Sequence, residues 1–182
     1  MEVIATALPE VKLLKPAVFG DERGFFLETW NQQRYPQAGV EAVFVQDNVS
    51  SSRQGILRGL HFQHPFGQGK LVQVLQGEVF DVAVDIRRSS PRFGAWVGVV
   101  LSAENHHQLY IPPGFAHGFC VTSEQAIFSY KCTEFYHPET ERSLLWNDPA
   151  IGIQWPLANP ELSLKDQKGL RLQECKVDDL PA

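Results

Sequence analysis

The chain has 182 residues, of which 43% are hydrophobic and 20% charged, and its formal net charge is −5. These values are typical of one globular domain spanning residues 1–182, with enough apolar side chains for a sizeable core. Nucleic acid and membranes are disfavoured as partners, because the sequence has no basic excess and no run of about 18 apolar residues.

Short runs of β-forming residues alternate with turn residues along most of the chain, at the spacing typical of sandwiches and barrels. In chain order the predicted strands are residues 11–19, 24–29, 43–51, 56–63, 70–76, 78–86, 96–101, 108–111, 115–121 and 126–133. Residues 31–38 and the tail after Ser163 are the segments with a helical pattern. So many strands with so little helix predict an all-β fold, a double-sheet antiparallel jelly-roll barrel with a few short helices.

The predicted strand 78–86 has the most regular alternation. One of its faces is wholly apolar, with Phe80, Val82, Val84 and Ile86. The other face carries Val79, Asp81, Ala83 and Asp85. The period of two identifies a strand rather than a helix.

Three cysteines, Cys120, Cys132 and Cys175, are an odd number and form no C-x-x-C pair. They are predicted to be free thiols, with Cys120 and Cys132 buried in strands, rather than a disulfide framework or a zinc site. The N-terminal residues do not have the pattern of a secretion signal, so a cytoplasmic location is expected.

Histidines are the first candidates for a metal site, but their spacing argues against one. His61 and His64 are three residues apart and would point to opposite faces of a strand, and Pro65 follows directly. His106 and His107 are adjacent in a predicted turn. The sequence therefore predicts no metal site.

Polar residues inside predicted strands are informative, because inward positions of a barrel are apolar unless the interior holds a ligand. They are Gln46, Asn48, Arg58, His61, Lys70, His117 and Tyr130. Each alone has a structural explanation, such as a hydrogen-bonded core group or a charge at the rim. Likewise, Arg23 with Glu28 could form a surface ion pair, and Asp166 could be a solvated or capping residue.

Arg58 and His61 have opposite parity in their strand, so a regular strand would not direct both inward. Gly59, between them, is predicted to mark a bulge or bend that brings both side chains to the same side.

Nine segments occur in one order along the chain: FGDERGFFLE (19–28), QDN (46–48), LRGLHFQ (57–63), QGKLV (68–72), DVAVDIR (81–87), PPGFAHGF (112–119), YK (130–131), WND (146–148) and LKD (164–166). Together they resemble the dTDP-4-dehydrorhamnose 3,5-epimerases of the cupin-like jelly-roll superfamily, the RmlC family.

The resemblance implies a homodimer that exchanges an N-terminal strand and converts dTDP-4-dehydro-6-deoxy-D-glucose to dTDP-4-dehydro-L-rhamnose without a cofactor. By motif position His61 accepts the proton, Tyr130 donates it, and Asp166 is the carboxylate paired with the histidine. Tyr136 falls on the aromatic position that stacks against thymine. The other ligand-contacting positions are Arg23, Glu28, Gln46, Asn48, Arg58, Lys70, His117, Glu141 and Lys165.

These residue types suit the implied chemistry. Epimerisation beside a ketone needs a base at the C–H, a donor or cation at the developing enolate oxygen, and an acid on the opposite face. Histidine is a common general base in enzymes, which suits His61 to the first role, and Asp166 could fix its tautomer. Lys70, helped by Arg58 or His117, suits the enolate oxygen, and a tyrosine such as Tyr130 keeps its proton at neutral pH.

The diphosphate calls for guanidinium groups, which makes Arg23 and Arg58 plausible anchors. Two enzymatic alternatives remain open, an epimerase acting at a single carbon and a 3,4-ketoisomerase on a related dTDP-keto-sugar. A sugar-nucleotide-binding jelly roll without catalytic activity is a third alternative.

Overall fold

The computed structural model describes all 182 residues. Its strands are β1 (Glu2–Ile4), β2 (Lys12–Lys15), β3 (Val18–Asp21), β4 (Gly24–Leu27), β5 (Gln46–Arg53), β6 (Leu57–Gln63), β7 (Lys70–Gln76), β8 (Glu78–Asp85), β9 (Trp96–Ser102), β10 (Gln108–Ile111), β11 (Phe115–Val121), β12 (Gln125–Cys132) and β13 (Glu141–Ser143). The helices are all short 3₁₀ turns, at Tyr35–Ala38, Pro138–Thr140, Asp166–Lys168, Leu172–Glu174 and Val177–Asp179.

Two antiparallel sheets form the jelly roll. The six-stranded sheet has the order β1-β2-β10-β7-β12-β5, and the five-stranded sheet has the order β13-β6-β11-β8-β9. Strands β3 and β4 form a separate hairpin. The predicted all-β, double-sheet fold is confirmed.

Differences from the predicted elements have local causes. The predicted strand 11–19 is in fact two strands, β2 and β3, interrupted at Pro16, which has no N–H to donate to a sheet. The helical pattern at residues 31–38 produces only the turn Tyr35–Ala38. Strands β1 and β13 have three residues each and were missed, because runs that short carry almost no periodicity.

The main core lies between the two sheets. It joins side chains of the six-stranded sheet, such as Val72 and Phe128, to those of the five-stranded sheet, such as Val79, Ala83 and Phe119. Because Asp81 has the same parity as Val79 and Ala83, its carboxylate also points into the barrel. This placement makes Asp81 a buried carboxyl group next to the barrel cavity.

The apolar face of β8 packs on the outside of the barrel. Val82, Val84 and Ile86 belong to a second core that is completed by residues following β13, including Leu144 and Leu172. The C-terminal tail therefore covers the outer face of the five-stranded sheet, and its hydrophobic residues hold it there.

Cys120 and Cys132 are buried free thiols, as predicted, whereas Cys175 is partly exposed. The 3₁₀ turns are too short to cross a membrane, and the structure has no long apolar helix.

Candidate active site

A cavity of about 350 Å³ opens between the two sheets. Strands β6 and β11 supply one wall, and strands β5, β7 and β12 supply the opposite wall. Nine of the predicted site residues line it: Gln46, Asn48, Arg58, His61, Lys70, His117, Tyr130, Tyr136 and Glu141. The structure therefore brings together residues that are up to 95 positions apart, since 141 − 46 = 95.

His61 and Asp166 form a hydrogen-bonded pair at the cavity wall. The distance from His61 Nε2 to Asp166 Oδ1 is 2.6 Å, and the side chain of Asp166 is only 3% exposed. The backbone N–H of Gly59 donates to the other carboxylate oxygen. Burial alone would raise the pKa of Asp166, but the hydrogen bonds to His61 and Gly59 outweigh it and lower the pKa. Asp166 thus lies behind His61 as an ionised partner.

The predicted bulge at Gly59 is confirmed by the pairing of β6 with β11. His117 lies opposite His61, but Phe119 lies opposite Arg58, so β6 has one extra residue in this interval. Gly59 has a φ of +121°, and a Cβ there would lie 2.7 Å from the Cα of Gly118. The bulge allows Arg58 and His61 to line the same cavity, and only glycine fits the close approach.

A second histidine–carboxylate pair lies beside the first. His117 Nε2 is 2.9 Å from Asp81 Oδ2, and both side chains are buried. Burial lowers the pKa of His117 and raises the pKa of Asp81, in each case favouring the neutral form. Asp81 was not among the predicted site residues. The sequence does contain a signal that could have identified Asp81, because it is a charged residue on the same strand face as the apolar residues Val79 and Ala83.

Lys70 and Tyr130 lie on the wall opposite His61. Lys70 begins β7, where it pairs with Cys132 of β12, and Tyr130 pairs with Asn48 of β5. Lys70 reaches the cavity but is surrounded by protein, and this burial lowers its pKa. Burial also raises the pKa of Tyr130, so its hydroxyl stays protonated at neutral pH.

Three predicted residues form a chain at the mouth of the cavity. The hydroxyl of Tyr136 donates to Glu141 Oε2 at 3.0 Å, and Lys165 Nζ donates to Glu141 Oε1 at 2.8 Å. The ring of Tyr136 is half exposed, and its backbone N–H donates to the side chain of Gln46. Lys165 itself does not line the cavity, but it adjoins Asp166 in sequence.

Arg23 and Glu28 lie outside this cavity. They do not pair with each other: Arg23 binds Asp21 in the β3–β4 hairpin, and Glu28 binds Arg34. Within one chain the structure therefore does not place these two residues with the other predicted ligand contacts.

No group of three or more His, Cys, Asp or Glu side chains lies close enough together to hold a metal ion. Both cavity histidines, His61 and His117, use Nε2 to bind a carboxylate.

The family profile described as dTDP-4-dehydrorhamnose 3,5-epimerase matches residues 5–174. The chain belongs to this family. A dTDP-4-dehydrorhamnose 3,5-epimerase of Salmonella typhimurium strain LT2 is 61% identical over 182 residues, which cover 98% of this chain and 100% of the relative. The Shigella flexneri enzyme of the same name is 59% identical over 177 residues, which cover 96% of this chain and 98% of the relative.

Among solved structures, the chain is similar to the dTDP-6-deoxy-D-glucose-3,5-epimerase of Legionella pneumophila, crystallised with dTDP-4-keto-L-rhamnose. The TM-score is 0.96 at 53% sequence identity, over 99% of this chain and 97% of the other. The epimerase family therefore accounts for both the fold and the nearly full length of the chain.

Proposed function

We propose that this protein is a dTDP-4-dehydrorhamnose 3,5-epimerase, an isomerase that converts dTDP-4-dehydro-6-deoxy-D-glucose to dTDP-4-dehydro-L-rhamnose. The observation that carries the proposal is the cavity itself. The His61–Asp166 pair lies on one wall and Tyr130 on the opposite wall, as inversion through a planar enolate requires.

His61 is proposed as the base that removes the proton at C3 and C5 of the sugar. Its Nε2 faces Asp166, so the other ring nitrogen, Nδ1, is the one left to accept a proton. The ionised Asp166 would hold the ring in place and stabilise the imidazolium that forms.

Lys70 is proposed to stabilise the oxyanion that develops at O4. A cation held largely out of bulk water interacts with a developing negative charge more strongly than it would in water. Arg58 and His117 line the same cavity and would assist it. Tyr130 would then return a proton from the opposite face, because burial keeps its hydroxyl protonated until the enolate forms.

After each inversion His61 holds the proton that it removed and Tyr130 has lost its own, so both groups must be reset by proton exchange with solvent. The proposed mechanism uses neither a metal nor an organic cofactor. The C–H bonds are acidic because the C4 ketone takes up the charge. The guanidinium group of Arg58 is suited to binding the diphosphate, and the half-exposed ring of Tyr136 is suited to stacking against the thymine base. Gln46, Asn48 and Glu141 are proposed to complete the nucleotide site, and Lys165 binds Glu141 outside the cavity lining.

The proposed unit is a homodimer of single-domain chains. The β3–β4 hairpin exposes Phe19, Phe25 and Phe26, each more than 60% accessible, and no sheet of its own chain covers it. Such a surface is typical of an interface. In the dimer we propose, this hairpin brings Arg23 and Glu28 to the cavity of the partner subunit. The free buried thiols Cys120 and Cys132 fit the proposed cytoplasmic location.

Incubation with dTDP-4-dehydro-6-deoxy-D-glucose in deuterated water tests the proposed function. We expect deuterium at both C3 and C5 of an inverted product. Label at one carbon only would identify a single-carbon epimerase, and a moved ketone would identify a 3,4-ketoisomerase. Tight dTDP binding without label would identify a binding protein that lacks catalytic activity.

A further inference from the structure

Asp166 reaches His61 from a surface segment, residues 161–170, which we call the strap. Backbone hydrogen bonds fasten the strap at both ends. Glu161 exchanges them with Gly55 and Leu57, and Leu170 exchanges them with Ser143 and Leu145. Asp166 is the one fully buried residue of the strap. The carboxylate that orients His61 is therefore held by a segment with two anchors, one at the start of β6 and the other at the end of β13.

The strap lies unusually close to the chain that follows β13. A Cβ built on Gly169 would be 2.6 Å from the carbonyl carbon and oxygen of Leu144, which is closer than real side chains approach. Gly169 is three residues from Asp166. This close contact anchors the strap on the C-terminal side of Asp166, so Lys165, on the N-terminal side, is free to influence how Asp166 is held.

The strap makes two side-chain contacts with the cavity wall, and they are adjacent in sequence. Asp166 binds His61, while Lys165 binds Glu141 at 2.8 Å. Glu141 and Ser143 of β13 lie opposite Gln63 and His61 of β6, respectively. Glu141 also accepts the hydroxyl hydrogen of Tyr136, so one carboxylate joins the proposed nucleoside site to the strap.

We propose that the Glu141–Lys165 ion pair couples occupation of the nucleoside site to the alignment of the His61–Asp166 pair. The inference rests on the proposed function. A nucleobase stacked on Tyr136 holds the tyrosine hydroxyl in position, and this hydroxyl binds Glu141. Glu141 in turn binds Lys165, which holds the strap at the residue next to Asp166. Part of the nucleoside binding energy then appears in kcat rather than in KM. Lys165 is in this sense a positioning residue.

Lys165→Met tests the coupling, with Lys168→Met as its control on the same exposed face of the strap. Half-exposed ion pairs contribute little to stability, so both variants are expected to fold. With the dTDP-linked substrate, Lys165→Met should lower kcat roughly tenfold, which corresponds to a loss of about 1.4 kcal/mol of transition-state stabilisation. With the same 4-keto sugar as its 1-phosphate, which lacks the nucleoside, Lys165→Met and wild type should have the same kcat.

A rise in KM alone would make Lys165 a simple ligand contact and overturn the proposal. An equal fall of kcat with both substrates would also overturn it, since it would mean a general structural role. Failure of the wild-type protein to epimerise the dTDP-linked sugar is a different result and counts against the proposed function instead.

A second measurement uses thymidine and needs no turnover. Thymidine is uncharged and lacks both the diphosphate and the 4-keto sugar of the substrate, so we attribute an effect on His61 to coupling through the protein. NMR signals of the Tyr136 ring report when thymidine has saturated the site. At saturation, thymidine should shift the imidazole signals of His61 in wild type and Lys168→Met but not in Lys165→Met. Unchanged His61 signals in wild type, or equal shifts in all three proteins, would disprove the coupling.

Discussion

His61 and His117 lie directly opposite each other on neighbouring antiparallel strands, and each is hydrogen-bonded to its own carboxylate. The two pairs differ in exposure, because the side chain of His61 is 24% accessible and that of His117 is 8%. The partner carboxylates also differ, since the pKa of Asp166 is lowered while burial raises the pKa of Asp81. An ionised partner favours His61 as the base.

His61→Asn is therefore expected to abolish deuterium exchange at both C3 and C5. The loss should be at least the roughly 10²–10⁴-fold typical of a general base. NMR of the recovered sugar measures exchange at each carbon separately. Exchange that persists at either carbon would require a second base, and His117→Asn would then be the next variant to examine.

Tyr130→Phe should separate proton removal from inversion. The ring remains, so the barrel should fold and His61 should still form the enolate, but the donor on the opposite wall is gone. The enolate then regains its proton mostly from the histidinium on its original face. We expect epimer formation to fall much further than deuterium incorporation. If both fall by the same factor while substrate still binds, Tyr130 is not a separate acid.

Phe26→Asp is expected to convert the proposed dimer to a monomer, because it places a charge in the apolar surface of the β3–β4 hairpin. Loss of the dimer should also lower activity, because Arg23 and Glu28 would no longer reach the cavity of a partner subunit. Val177→Asp, at an exposed hydrophobic residue outside the hairpin, is the control and should change neither property. A wild-type protein that sediments as a monomer at micromolar concentration would contradict the dimer.

Prolonged dialysis against EDTA should leave activity unchanged, because the proposed mechanism assigns the enolate charge to Lys70. Lys70→Met is the informative comparison and should lose most activity whether or not chelator is present. Activity lost on chelation and restored by one added divalent ion would contradict the cofactor-free mechanism.

Asp85→Asn should destabilise the fold by about 1.5–3 kcal/mol at neutral pH, because it removes a buried, charge-assisted contact. Asp85 is fully buried and accepts hydrogen bonds from Arg87 and Ser90. Burial alone would raise the pKa of Asp85, but these bonds outweigh it and lower the pKa below 3.8.

The stabilisation from Asp85 is thus complete above its ordinary pKa and is lost as the pH falls through the lower folded-state value. Denaturant unfolding of wild type and Asp85→Asn should accordingly give a difference that shrinks below about pH 4. Asp47→Asn, in the exposed pair with Lys131, is the control and should cost little at any pH. A difference that grows on acidification would contradict the sign of the shift.

Local patterns predicted the strands and the bulge but not the long-range contacts. Gly59 was identifiable because Arg58 and His61 have opposite parity, and parity is a local property. The 2.6 Å contact between His61 and Asp166 had no local signal, since 105 residues separate them and the strap has no periodicity. Only the resemblance to a known family suggested that pair. Asp81 was overlooked because the neighbouring apolar face of β8 made the strand look purely structural.

The strap also has a consequence for how the protein becomes active during synthesis. The sheets are complete once β13 has formed, and the ribosome releases residues in order from the N-terminus. Asp166 follows β13 by more than 20 residues, since 166 − 143 = 23. A nascent chain can therefore enclose the cavity before His61 has its carboxylate. We therefore expect the walls of the cavity to form before the proposed catalytic pair, and docking of the strap to be the step that completes the proposed active site.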